Sequence, residues 1–84
     1  MEKKTLAGVN GNAFCVMGTV SSWMKEACSL ARQRADKDGI NAFDEKAIDA
    51  YTNDAMSSDY DHLLNVSVEM VDKINDYCCK KWTY

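Results

Sequence analysis

Asp59, Asp61 and His62 sit in the run SSDYDHLL, which sets two carboxylates and the chain's one imidazole within four residues. On a helix, residues three apart share a face, so Asp59 and His62 could cooperate in proton transfer or hold one metal ion. A metal centre needs further ligands. No H-x-x-x-H, E-x-x-H or C-x-x-C spacing supplies them, so no metal and no catalytic residue is predicted. The plainer reading is acidic residues opposing the dipole of a helix start, with His62 hydrogen-bonded at the core's edge. A metal-assisted hydrolase built on Asp59, Asp61 and His62 therefore ranks last among the functional readings.

A second concentration is AGVNGNAF, where glycines and asparagines lead into an apolar run. Helix starts attract phosphate and carboxylate, because unpaired amides and the helix dipole point the same way. The glycine spacing matches neither G-x-G-x-x-G nor the G-x-x-x-x-G-K-[ST] phosphate loop, and turn plus cap is the commoner use of these residues. Phe14 and Tyr60 each fall in the first turn of a predicted helix. If the two starts converge, Asn10, Gly11 and Asn12 supply donors, Phe14 and Tyr60 stacking surfaces, and Asp59 and His62 polar contacts. Such a pocket suits an anionic, nucleotide-like ligand. Trp23, at the edge of an apolar face, is a candidate interface anchor.

The elements that must position these groups are helical. Asn12 is a suitable N-cap, and Ala13, Met17, Val20, Met24, Ala27, Ala31 and Ala35 recur every three or four residues. Val16, Trp23 and Leu30 widen that stripe, which predicts a helix over residues 12–37, with Gly39 as its stop. A second helix is predicted from Phe43 to Met56, facing inward through Phe43, Ala47, Ile48, Tyr51 and Ala55. Ser58 reads as the cap of a third, with Asp61 completing a capping box. Its stripe is Tyr60, Leu63, Leu64, Ser67, Val68, Val71, Ile74 and Cys78. Residues 3–9 read as a short strand, and the tail KKWTY as a loose end or a partner strand. The fold class expected is mainly α: a compact three-helix bundle, with a two-stranded ribbon at the termini as an option.

The chain has 84 residues, 46% apolar and 27% charged, the composition of one globular domain. Domains this short bury only about 60% of their unfolded surface, so self-association is expected. Cys15 and Cys28 lie too far apart on one predicted helix to bridge, and Cys78 and Cys79 are adjacent. All four read as small apolar filler. The start MEKKTLAGV lacks a leader's apolar run, and no segment approaches the roughly 18–20 apolar residues of a membrane span. A soluble, cytoplasmic protein is expected, with no membrane partner. Formal charge is −3, split into +3 over residues 1–37 and −6 over residues 38–84. No strongly basic footprint for nucleic acid is present. The asymmetry suits head-to-tail packing of subunits or a cationic patch for an anion, and two solvated helix faces are the plainer reading.

With NGNAF and DYDHLL in view, the chain resembles a family of small helical proteins encoded by bacteria and phages. Asn12, Ala13, Phe14 and Gly18 match its first helix, and Asp59, Tyr60, Asp61, His62, Leu63 and Leu64 open its last. The likeness spans most of the chain and departs at CCKKWTY, where the family pattern has an alternating acidic strand. It implies a setting rather than catalytic residues: small phage proteins that form homo-oligomers and counter host defence by sequestering nucleotide-derived immune signals. The reading that follows is a non-enzymatic homo-oligomeric binder of a small anionic ligand, without a cofactor. The alternative is an acidic protein–protein module inhibiting a host complex, acting through Asp44, Asp49 and Asp54.

Overall fold

The computed structural model describes residues 4–6 and 8–80, with the side chains of residues 79 and 80 left aside. The fold is a mainly α bundle built on three principal helices: α1 (Ala13–Gln33), α3 (Glu45–Ala55) and α4 (Tyr60–Asn75). A two-turn helix, α2 (Lys37–Phe43), joins the first two, and a π-helical turn (Asp76–Lys80) prolongs α4. Among the described residues there is no strand. The ribbon expected at the termini is therefore not formed by residues 4–6, and its other half, residues 81–84, lies outside the described residues.

Side-chain oxygens cap all four helices. Asn12 Oδ1 accepts from the Phe14 amide at 2.9 Å, and Asp44 Oδ1 from Ala47 at 2.9 Å. Asp36 accepts from Gly39 at 3.3 Å, and Asp59 from His62 at 3.0 Å. Each satisfies a donor that a helix start leaves unpaired. The cap of α4 is thus Asp59, one residue beyond the predicted Ser58, because the carboxylate beats a hydroxyl as acceptor at the dipole's positive end.

The first helix ends earlier than its apolar pattern suggests. Ala35 adopts φ 53°, its amide donates to Arg32 and the Asp36 amide to Ala31, the paired bonds of a Schellman ending. Gly39, expected as the stop, instead lies buried inside α2. A Cβ there would stand 2.5 Å from the Tyr77 hydroxyl. Close approach, and not helix termination, is what glycine provides at this position.

The core takes Val16, Val20, Met24, Ala27 and Ala31 from α1, Tyr51 and Ala55 from α3, and Leu63, Val71 and Ile74 from α4. Phe43 meets Tyr77 edge to face, with ring centroids 5.6 Å apart, a favoured aromatic geometry. Tyr60 and Val68, expected in the α4 stripe, are exposed. Ser67 is fully buried and hydrogen-bonds the Tyr51 hydroxyl at 2.6 Å, so the α3–α4 seam contains a satisfied polar pair. Burial raises the Tyr51 pKa, which keeps its phenol neutral.

The N-terminal segment is held by side chains. Buried Asn75 accepts from the Lys4 amide at 2.7 Å and donates to the Lys4 carbonyl at 2.8 Å. The Lys4 ammonium pairs with Glu26 at 3.0 Å and sits 5.8 Å from the centre of the Trp23 ring. This strap then turns, with Val9 donating to Leu6 and Gly8 at φ 84°, the third position of a tight turn where glycine is favoured.

Candidate functional site

The two helix starts meet. The Tyr60 hydroxyl donates to the Gly11 carbonyl across 49 residues of sequence, setting the first turn of α4 beside the residues that lead into α1. On the α1 side, Asn10 Oδ1 accepts from the Asn12 amide at 2.9 Å, and Asn12 in turn caps Phe14. The first turn of α1 contains no acidic residue, unlike those of α2, α3 and α4 with Asp38, Glu45 and Asp61. Among the described residues the Ala13 and Cys15 amides have no hydrogen-bond acceptor. The positive end of the α1 dipole is therefore the one that no side-chain carboxylate of its own first turn offsets. Phe14 stands beside it, 75% exposed, and Tyr60 is 42% exposed.

The remaining site residues do not join this group. Asp59 directs its carboxylate at the His62 amide. His62 lies two residues past Tyr60, about 200° around the helix, and its ring faces the end of α3. Its Nε2 is 3.0 Å from both the carbonyl and Oδ1 of Asp54, and 3.4 Å from Ser57 Oγ. Hydrogen bonding to the Asp54 carboxylate raises the His62 pKa above its ordinary value. Ser57 donates to the Asp54 carbonyl at 2.6 Å. Serine, histidine and aspartate thus meet, yet both partners crowd one ring nitrogen. A nucleophile relay needs the serine on one nitrogen and the carboxylate on the other. The cluster ties α3 to α4. Asn10, Gly11, Asn12, Phe14 and Tyr60 come together, while Asp59 and His62 serve local contacts. Among the described residues no group of three or more His, Cys, Asp or Glu side chains could hold a metal.

Structure also qualifies the acidic residues. Asp44 caps α3 and Asp54 binds His62, so charge reversal at either would damage the fold as well as any interface. Asp49 lines a groove of about 460 Å³ between α1 and α3, opposite Lys25 and Arg32. Walls of opposite sign make that groove a poor anion site. Trp23 is half-buried beneath Lys4. The Asn75 clamp and the Tyr51–Ser67 pair had no signal in the sequence, since neither motif has a local spacing. No helix of the described residues is long and apolar enough to cross a membrane. No protein-family model, curated protein or solved structure matches the chain.

Proposed function

We propose that the chain is a small, non-enzymatic, homo-oligomeric binding protein that captures an anionic, nucleotide-like ligand at the start of α1. One observation supports this above the others: Phe14 stands exposed beside the Ala13 and Cys15 amides, at the one helix start among the described residues without a first-turn carboxylate. A phosphate would be drawn to the amides and a base to the ring. Asn10 and Asn12 hold the turn that orients them, and Tyr60 fixes Gly11 from the other side. Asp59 and His62 act indirectly, by shaping the start of α4. The phage setting implied by the sequence resemblance makes sequestration of a nucleotide-derived immune signal the fitting role.

Native mass spectra of protein purified from cells making nucleotide signals, recorded with and without denaturation, test this. A stoichiometric adduct released intact is expected, together with its loss in Phe14→Ala, whose exposed ring contributes little to the core. An adduct-free wild-type protein, or one whose adduct persists unchanged in Phe14→Ala, would refute the assignment. The second reading, an acidic module inhibiting a host complex, draws on exposed Glu45 and Asp49 along α3. Its complex would weaken with salt, because exposed charges are screened within about 8–10 Å at physiological ionic strength.

A further inference from the structure

The groove between α1 and α3 plays no part in the anion site at the start of α1. Its volume is about 460 Å³, within the range of small-ligand sites. Lys25 and Arg32 line its α1 wall, and Asp44, Glu45 and Asp49 the α3 side. These opposite charges share one groove without closing on each other. The ion pairs among the described residues are Lys4–Glu26 and His62–Asp54. Asp44 commits one oxygen to the Ala47 amide, whereas Lys25, Arg32, Glu45 and Asp49 have no ion-pair partner among the described residues.

The rest of the lining is apolar and buried, with one exception in its chemistry. Phe43 is 3% exposed, Cys28 6%, and Ile48 is half-buried. Cys28 is a free thiol without a hydrogen-bond partner among the described residues. Buried polar groups are mostly paired, and a thiol can donate weakly, so this one lacks an acceptor that a ligand in the groove could bring. A simple anion would be repelled by the carboxylates and a simple cation by Lys25 and Arg32. A ligand with both charges meets complementary walls. Lys25 and Arg32 are seven residues apart, about 10 Å along the helix, which suits charges separated by a short chain. We infer that the groove binds a short zwitterionic peptide of two or three residues. Arg32 and Lys25 hold its terminal carboxylate, Glu45 and Asp49 its ammonium, and Phe43 and Ile48 an apolar side chain. A peptide carbonyl accepts from the Cys28 thiol. Arginine matches a carboxylate with two parallel donors. This site is separate from the one proposed above: Lys25 lies twelve residues beyond Ala13, about 18 Å along α1.

Exposed charges each contribute little, so a dissociation constant of about 0.1–1 mM is expected. Amide chemical shifts of the isotopically labelled protein, titrated with the tripeptide Ala-Leu-Ala, measure it. Saturating shifts are expected at residues 25–32 and 43–49. Acetylating the peptide's amine or amidating its carboxylate should each weaken binding at least about threefold. Arg32→Gln should weaken the free peptide by as much while leaving the amidated form unchanged. Glu45→Gln with Asp49→Asn should do the same for the acetylated form. The proposal is overturned by shifts that do not saturate by about 10 mM or that centre elsewhere, including the start of α1. Blocked peptides that bind as well as the free one overturn it too, as do variants that weaken every form equally. Neither failure bears on the adduct measurement, which reads a different ligand through Phe14.

Discussion

Single residues in this chain do work that their types alone misstate. Gly39 looks like a helix stop, yet it lies inside α2 against the Tyr77 hydroxyl, and Ala35 holds the left-handed position that ends α1. Opposite effects are therefore expected from exchanging the two residue types. Gly39→Ala should destabilise by about 1–3 kcal/mol, the usual cost of forcing extra volume into a packed contact. Ala35→Gly should stabilise by up to about 1 kcal/mol, since it relieves the steric cost of positive φ. Urea unfolding at constant m-value measures both, and a stabilising Gly39→Ala would refute the close-approach account.

His62 brings a pH dependence. Its pKa is raised in the folded state by the Asp54 carboxylate. The contribution is thus complete below the unfolded value of about 6.5 and lost as pH rises through the higher folded value. Melting temperature should fall between pH 6 and pH 8 in the wild type, and that component should vanish in His62→Gln. A profile that is the same in both proteins would show that the clip between α3 and α4 adds nothing.

At the scale of elements, α1, α3 and α4 follow from apolar periodicity and capping residues, while the N-terminal strap follows from a side chain 71 positions away. Asn75 pairs with both backbone groups of Lys4, taking the place of a neighbouring strand. Asn75→Ala leaves those groups without their partner, at a cost of about 1–3 kcal/mol where the site is dry. Hydrogen exchange should locate the effect. Amides of residues 4–6 are expected to lose protection before those of α4, and uniform loss along the bundle would mean that the strap is integral to the core. The seam between α3 and α4 depends in the same way on Tyr51 and Ser67 meeting at 2.6 Å.

Taken whole, the molecule is a thin bundle whose charged halves are interleaved in space. Lys25 and Arg32 line one wall of the α1–α3 groove, and Asp44, Glu45 and Asp49 the other. The sequence's division into a positive and a negative half therefore yields a groove of mixed sign. Helical class, most of the inward residues of α1 and the cap at Asn12 were legible in the sequence, whereas the cap of α4 fell at Asp59 and not at Ser58. Spacing of three and four residues and local side-chain acceptors are local properties, readable one element at a time. That Tyr60 reaches Gly11, that His62 turns to Asp54 and away from Asn12, and that Gly39 meets Tyr77 depend on how the helices pack. Each joins residues on different elements through contacts that have no period along the chain. By itself the sequence determined that α1, α3 and α4 form and most of what they turn inward, but it did not indicate α2, and Tyr60 and Val68, read as inward, are exposed. Only the tertiary structure decided which of the candidate site residues stand together, because convergence of helix ends is set by packing between helices and not by the propensity of any one of them.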